Sequence, residues 1–332
     1  MLSRIATNRW VRLGLLAVAL GLCAYGLVSQ RAEVAAAWQQ VTWGPVIGAA
    51  AAAIAAMACM MLSWRTLLVD LGHPLSLRAA TRVMFIANLG KYLPGAVWMA
   101  AAQVELGREY EISRKTSATA AVVNMLISLA TALLVAAVAL PLSSGDAVRQ
   151  YWWALVLAVP ALICLYPPLT SFFVNRLLRL ARRPPLERRI GGKGMTRAVA
   201  WSLLGWVFFS LQAWLLVADV TGQGASVLLI AAGAYALAWS VGFILVPFPG
   251  GVGPRELALI AALAPVMPRG SAIVVAVISR LVLTIADLIW AAVAFALGRG
   301  MRRDGRPGQR LRGGTQSTQA PELGASPPPV HR

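Results

Sequence analysis

Two short segments of this sequence combine a helix-breaking proline and glycine with charged side chains inside otherwise apolar stretches. In the first segment, LGKYLPGAVW, Lys91 lies three residues before Pro94, and Gly95 follows the proline. Proline removes an amide donor and glycine loosens the backbone, so we expect a helix to break here. A cation beside a break suits a phosphate or another anion; alternatively, the lysine extends its ammonium to a headgroup layer. Tyr92 and Trp98 either contact the same ligand or anchor the segment at a membrane interface.

The second segment, PFPGGVGPRE, contains Gly250 and Gly251 and ends in the charged residues Arg255 and Glu256. It lacks the Gly-Lys-Ser/Thr ending of a phosphate-binding loop, which argues against a Walker-type nucleotide site. We predict a flexible turn followed by a helix over 255–264, with the Glu256 carboxylate favoured at the helix N-terminus. Arg255 either pairs with Glu256 or holds an anionic headgroup through two parallel hydrogen bonds.

The last apolar stretch carries two further charges, Arg280 and Asp287, which are seven residues apart. Seven residues make about two helical turns, so both side chains lie on one face. The axial separation is about 10 Å, which is too long for a direct pair. We therefore expect Arg280 to meet Glu256, and Asp287 to meet either Lys91 or Arg82. Because charges inside a membrane are unfavourable, Arg280 and Asp287 are also candidates for substrate contact.

The composition of the chain places these segments in a membrane. Of 332 residues, 59% are hydrophobic and 13% are charged, and the mean hydropathy is +0.70. A typical soluble domain is about half apolar and a quarter charged. The net charge of +18 is concentrated in short stretches beside apolar runs, which indicates the positive-inside pattern of membrane proteins rather than nucleic-acid binding. We expect membrane lipids, and no nucleic acid, as partners.

The chain offers little for metal, cofactor or catalytic chemistry. Its three cysteines and two histidines show no CxxC or Cys/His spacing, so neither a metal site nor a disulfide framework is predicted. No paired acids or Ser/His/Asp set stands out, and no soluble loop is long enough to form a catalytic domain. We therefore predict no cofactor and no enzymatic activity.

Hydrophobic segments long enough to cross a bilayer, about 20 residues each, recur along the chain. Six are uninterrupted: 11–29, 43–64, 117–141, 151–172, 199–219 and 271–298. The segments 80–106 and 226–268 contain the two breaks. The arginine and lysine bias puts both termini inside the cell, and each broken segment must then begin and end on one face. We predict an all-α membrane bundle of about six spans and two re-entrant hairpins of opposite sense, as in inverted-topology transporters.

The rest of the chain is divided around this bundle. We predict a basic cytoplasmic N-terminus over 1–10, the membrane domain over 11–298, and a disordered, basic and Pro-rich cytoplasmic tail over 299–332. Small residues over 49–56 are predicted to form a helix-packing surface. The amides of Asn124 and Gln212 are predicted to hydrogen-bond between helices.

Three motifs together resemble a known family. Residues 89–98 are similar to the Tyr-x-Pro-Gly-x-x-Trp segment of the flippase-like membrane domain family, which includes the transmembrane region of lysylphosphatidylglycerol synthase. Residues 249–256 resemble its Pro-Gly-Gly-x-Gly-x-Arg-Glu signature, and 280–287 resemble the pattern of its terminal helix. The resemblance extends from about residue 10 to residue 298. It implies a stand-alone lipid-translocating domain without the soluble aminoacyltransferase domain.

The resemblance implies a flippase of the cytoplasmic membrane that moves an anionic or lipid-linked headgroup, either an aminoacyl phospholipid or a polyprenyl-phosphate sugar. Two other functions stay open: a secondary transporter of a small anionic solute, and a non-transporting membrane partner of a glycosyltransferase. Partners besides lipids would be such a glycosyltransferase or an aminoacyl-lipid synthase. The substrate-binding residues predicted from the breaks and charges are Lys91, Tyr92, Pro94, Gly95, Trp98, Gly250, Gly251, Arg255, Glu256, Arg280 and Asp287.

Overall fold

The structure is a computed structural model, and it describes residues 41–92, 98–143, 191–244 and 253–303, with a few isolated positions outside these ranges. The predicted spans 11–29 and 151–172 lie outside the described ranges, as does most of the predicted tail. The predicted division into an N-terminus, a membrane domain and a tail therefore stays a prediction.

The described residues form eight helices and no strand, which confirms the predicted all-α fold class. The helices are α1 (Trp43–Asp70), α2 (Leu77–Asn88), α3 (Trp98–Arg108), α4 (Arg114–Ala139), α5 (Gly192–Thr221), α6 (Leu228–Ile244), α7 (Pro254–Leu263) and α8 (Arg269–Arg303). Short 3-10 turns follow α2 and α4 and precede α6, over Leu89–Tyr92, Pro141–Ser143 and Ala225–Val227.

The lengths of these helices separate spanning elements from shorter arms. Five elements are long and apolar enough to cross a membrane, namely α1, α4, α5, α6 and α8 with their adjoining turns. The helices beside the breaks are shorter, with 12 residues in α2, 11 in α3 and 10 in α7. At 1.5 Å per residue they extend for about 15–18 Å, roughly half of a bilayer core. The α6 arm, by contrast, is long enough to span alone, and the total number of spans stays a prediction.

Helices α1 and α5 share the most extensive contact among the described helices. Ala49, Ala53 and Ala56 are fully buried there, which confirms the predicted packing surface over 49–56. A side-chain carbon added at Gly205 of α5 would lie 3.3 Å from the carbonyl oxygen of Ala56. Small residues therefore let the two backbones approach closely, which is how helices associate without a hydrophobic driving force in lipid.

Each of these two helices also supplies an aspartate to the start of the other. Asp70, the last residue of α1, accepts a hydrogen bond of 2.5 Å from the amide of Gly191, just before α5. Asp219, near the end of α5, accepts hydrogen bonds of 2.8 and 2.6 Å from the amide and hydroxyl of Thr42, just before α1. Amides at a helix start have no partner within the helix, so both carboxylates act as caps. The contacts fix α1 and α5 as an antiparallel pair.

The eight helices form two groups with the same order and the same contacts. In each group, α1–α4 and α5–α8, a long helix is followed by two arms separated by a break and then by another long helix. The arm α2 packs on α8 of the other group, and α6 packs correspondingly on α4. Likewise α3 contacts α4, and α7 contacts α8. Because α1 and α5 are antiparallel, the groups are related as an inverted repeat, although the sequence shows no residue-level repeat.

Candidate substrate-binding site at the two helix breaks

The first break meets the last helix near its middle. Helix α2 runs antiparallel to α8, with the rings of Phe85 and Trp290 stacked at a centroid distance of 4.3 Å. In the 3-10 turn that follows α2, the ammonium of Lys91 lies 2.5 Å from a carboxylate oxygen of Asp287. Asp287 lies near the middle of the 35-residue helix α8. The contacts therefore bring the end of the first arm to the centre of α8.

The second break meets α8 from the opposite end. Helix α7 begins at Pro254, and its Glu256 carboxylate lies 3.3 Å from the guanidinium of Arg280. One turn later, Leu259 lines the same pocket as Ala276 of α8. The numbering increases along α7 and decreases along α8, so α7 runs away from the centre towards the N-terminus of α8. The two breaks thus converge on one stretch of α8, between Arg280 and Asp287.

The Lys91–Asp287 pair is held by the close approach of the first hairpin's arms. A side-chain carbon at Gly90 would lie 2.9 Å from the backbone nitrogen of Met99, so only glycine permits this contact. The Asp287 side chain is 2% exposed, whereas that of Lys91 is 33% exposed. Asp287 is therefore a buried carboxylate whose partner reaches it from the edge of the break. Of the two partners predicted for Asp287, the structure shows Lys91.

Glu256 links the start of α7 to α8. One of its carboxylate oxygens accepts a hydrogen bond of 2.7 Å from the amide of Gly253, and the other accepts one of 3.3 Å from Arg280. Gly253 has a φ of +94°, a left-handed conformation that favours glycine. The carboxylate also lies at the positive end of the α7 dipole. The predicted contact between Arg280 and Glu256 is confirmed, and it leaves Arg255 with a different partner.

Arg255 is held by an aromatic residue. Its guanidinium donates a hydrogen bond of 2.7 Å to the hydroxyl of Tyr235, and its Cζ lies 5.0 Å from the centroid of that ring. Among the described residues, no carboxylate lies within ion-pair distance of Arg255. Tyr235 is itself buried against Trp206 and Phe209, with ring centroids 6.5 and 5.7 Å away. The tyrosine therefore fixes the arginine without neutralising it.

The charges at the breaks form one electrostatic cluster. Lys91 is close enough to Arg255 and Arg280 to interact with both, as well as with Asp287. Among the described residues here, three cations stand against two carboxylates, which leaves one positive charge in excess. Charge inside an apolar bundle is unfavourable unless it is compensated, so an anion would stabilise this cluster. The donors available are two guanidinium groups and an ammonium, which bind phosphate and carboxylate oxygens.

A small pocket opens at one side of this cluster. Its enclosed volume is about 10 Å³, which is room for about one water molecule. Any headgroup, including a phosphate, would therefore require the arms to move apart. The pocket is lined by Arg255, Glu256, Leu259, Ala276, Ser279 and Arg280.

Comparison with protein families identifies the family of this chain. The model of the lysylphosphatidylglycerol synthase TM region matches residues 10–291. The chain belongs to this family. The match includes both breaks and Arg280 and Asp287 of α8, and it connects the chain with membrane lipids. No curated protein matches the chain.

In this member of the lysylphosphatidylglycerol synthase TM region family, the predicted site residues do not all lie together. The structure brings together Lys91, Arg255, Glu256, Arg280 and Asp287. Trp98 opens α3 and is half-exposed, and its carbonyl carbon lies 3.0 Å from the position of a side-chain carbon on Gly90. Four predicted residues and the side chain of a fifth lie outside the described residues: Pro94, Gly95, Gly250, Gly251 and Tyr92.

One residue that the sequence analysis missed is Tyr235, which holds Arg255. Its signal was weak, a single phenol in the alanine-rich apolar run of α6. The alternative partner for Asp287, Arg82, instead contacts Glu109 at 2.6 Å and the hydroxyl of Tyr110 at 3.0 Å. Arg82 therefore belongs to a separate cluster that joins α2 to the segment after α3.

The two predicted amide contacts between helices have different outcomes. Gln212 donates a hydrogen bond of 3.2 Å to the hydroxyl of Ser279, which joins α5 to α8 as expected. For Asn124 the prediction is wrong for the side-chain oxygen, because this buried atom accepts no hydrogen bond from the described residues. The described residues also contain no group of three or more His, Cys, Asp or Glu placed to hold a metal ion.

Proposed function

We propose that this chain moves an anionic or lipid-linked headgroup, that of an aminoacyl phospholipid or a polyprenyl-phosphate sugar, across the cytoplasmic membrane, and that it does so as a non-enzymatic flippase. The observation that carries the proposal is Arg255, a cation without a carboxylate partner among the described residues, at the point where two helix breaks converge. A phosphate is common to aminoacyl phospholipids and polyprenyl-phosphate sugars, so either class offers the anion that the cluster lacks. Family membership supports a lipid rather than a solute as the cargo.

In this proposal the cations hold the phosphate while the acyl or prenyl chains stay in the bilayer. Arg255 is oriented by Tyr235 and offers a planar set of donors to two phosphate oxygens. Arg280 and Lys91 approach the same space, and each has a carboxylate partner when no anion is bound. Glu256 and Asp287 thereby neutralise these two cations in the empty site. A bound phosphate would compete with both carboxylates for these two cations. The site can therefore both bind the phosphate and release it.

The inverted repeat supports a mechanism in which the site opens to each face of the membrane in turn. The arms α2 and α6 pack on the last helix of the opposite group, and their breaks meet at the middle of α8. Movement of one hairpin against the other would open the small pocket to one side of the membrane and then to the other. Both termini are proposed to be cytoplasmic, and the proposed partners that supply the lipid are a glycosyltransferase or an aminoacyl-lipid synthase.

Reconstituted transport tests the cargo class. Proteoliposomes are prepared with fluorescent phosphatidylglycerol in both leaflets, and a membrane-impermeant quencher reports how fast inner-leaflet lipid reaches the outer leaflet. Wild type is expected to accelerate this transfer, and Arg280→Ala is expected to reduce it at equal incorporation. A second set of vesicles is loaded with a radiolabelled soluble phosphate ester. Efflux of that ester without lipid transfer would replace the proposal with a solute transporter.

A further inference from the structure

A buried amide of α5 lies next to the pocket at Arg255 and Arg280. Gln212 is fully buried, and its Nε2 donates a hydrogen bond of 3.2 Å to the hydroxyl of Ser279 on α8. Ser279 lines that pocket together with both arginines. A single side chain therefore separates the Gln212 amide from the space that the two arginines line.

The aromatic residues that hold Arg255 place Gln212 at the same level. Phe209 precedes Gln212 by three residues on α5, so the two side chains share one face of that helix. The ring of Phe209 lies 5.7 Å from the ring of Tyr235, whose hydroxyl accepts the hydrogen bond from Arg255. The contacts of α5 with α6 and with α8 thus agree, and they put Gln212 within about one helical turn of the proposed phosphate position.

The hydrogen bond between Gln212 and Ser279 uses only one end of each group. The Oε1 of Gln212 is buried and accepts no hydrogen bond from the described residues. A buried acceptor without a donor is unfavourable. Ser279 is the acceptor in this contact, which leaves its own O–H available to donate elsewhere. An acceptor and a donor therefore lie side by side at the edge of the pocket.

A hydroxyl group fits this pair better than a charged group. A hydroxyl both donates and accepts, so it can bond to the Gln212 oxygen and to the Ser279 hydroxyl at once. An ammonium only donates, and it would lie beside Arg255 and Arg280, which repel it. An ionised phosphate oxygen only accepts, so it leaves the amide oxygen unsatisfied. The neighbouring charges thus favour a neutral donor.

We propose that Gln212 and Ser279 form a second subsite, which binds a hydroxyl group of the headgroup whose phosphate lies at Arg255 and Arg280. This rests on the proposed function, and it narrows the cargo to headgroups with a hydroxyl close to the phosphate, as in a glycerol or a sugar. The closed pocket has room for about one water molecule, so the lipid reaches the subsite when α7 moves away from α8. The subsite itself stays assembled, because its two residues lie on the spanning helices α5 and α8.

Two lipids of equal charge isolate this hydroxyl. Phosphatidylglycerol and phosphatidylpropanol are both phosphodiesters with one negative charge, and only the first carries hydroxyl groups beyond the phosphate. Their dissociation constants are measured by native mass spectrometry on the purified full-length chain. Wild type is expected to bind phosphatidylglycerol about three- to tenfold more tightly, the contribution of one hydrogen bond. Gln212→Leu and Ser279→Ala are each expected to reduce this preference by weakening phosphatidylglycerol alone.

Gln103→Leu is the matched control for the loss of a buried amide. Gln103 is 2% exposed, and its Oε1 also accepts no hydrogen bond from the described residues. It lies on α3, however, where its Nε2 contacts the sulfur of Met84 at 3.1 Å. Gln103→Leu is therefore expected to retain the preference for phosphatidylglycerol. A loss of preference as large as that in Gln212→Leu would overturn the assignment to Gln212.

The remaining outcomes separate this subsite from the proposed function. Equal affinities of wild type for the two lipids overturn the subsite, and they do so even if Gln212→Leu fails to fold. A full preference that persists in Gln212→Leu also overturns it. The phosphate site is tested separately by Arg255→Ala, which is expected to weaken both lipids alike. Binding of both lipids that is unchanged in Arg255→Ala would contradict the proposed function instead.

Discussion

Replacing Asp287 by asparagine is expected to destabilise the bundle and to show how strongly the first break is tied to α8. The carboxylate is 2% exposed and lies 2.5 Å from the Lys91 ammonium. Removing one partner of a buried pair typically costs about 3–5 kcal/mol, because the other charge is left without compensation. Lys91 is one-third exposed, so water can recover part of this loss. We therefore expect Asp287→Asn to lower the free energy of unfolding by about 2–3 kcal/mol.

A double-mutant cycle isolates the pair from other effects of the substitution. Lys91→Met with Asp287→Leu removes both charges, and replacing a whole buried pair by apolar residues is often close to neutral. The double variant is therefore expected to be more stable than Asp287→Leu alone, in equilibrium unfolding with a denaturing detergent. The control is Arg82→Met combined with Asp287→Leu, which is expected to be additive to within about 0.5 kcal/mol. This follows because Arg82 contacts Glu109. A double variant at Lys91 and Asp287 as unstable as the sum of its single variants would refute the coupling.

Two further predictions concern the parts that support the cluster. Tyr235→Phe removes the hydrogen bond to Arg255 and keeps the ring. We expect about a tenfold loss in affinity for phosphatidylglycerol, which is the lower end of the effect of a hydrogen bond to a charged group. An unchanged affinity would show that the phenol does not orient Arg255. Gly90→Ala places a carbon 2.9 Å from a backbone nitrogen of α3, and we expect it to lower stability by about 1–3 kcal/mol. Gly192→Ala is the matched control in the same unfolding measurement, because nothing lies within 4 Å of the added carbon, and it is expected to change stability little. Equal effects of the two variants would contradict the close approach of Gly90 to α3.

The sequence was sufficient to predict that the charges would pair, and to predict one of the two pairs outright, because an unpaired charge in a membrane is unfavourable. Few charged residues lie within the apolar stretches, and a charge there needs a partner or a ligand. The pairing of Arg280 with Glu256 followed from that scarcity. For Asp287, two cations were equally suitable by type, and the choice depended on the register of α2 against α8. Register is set by packing such as the stacking of Phe85 on Trp290, which hydropathy does not encode.

The inverted repeat and the contacts of Asn124 could not be predicted in the same way. Apolar residues that face lipid are interchangeable, so two equivalent helices need share no residue pattern. The aspartates that cap α1 and α5, Asp70 and Asp219, become recognisable as equivalents only when the antiparallel pairing is known. Asn124 was predicted to bond between helices, the usual role of an amide in a span. Its side-chain oxygen accepts no hydrogen bond from the described residues, and that outcome depends on packing that hydropathy does not encode.

The most direct test of the central claim is the rate of phosphatidylglycerol translocation in proteoliposomes that contain Arg255→Ala. The cation without a carboxylate partner among the described residues is the feature on which lipid binding depends, so this variant is expected to transfer lipid no faster than protein-free vesicles. Arg108→Ala is the matched control, because Arg108 is exposed and contacts Glu105 at the end of α3, and it is expected to retain the wild-type rate. Wild-type translocation by Arg255→Ala, at equal incorporation and folding, would contradict the account.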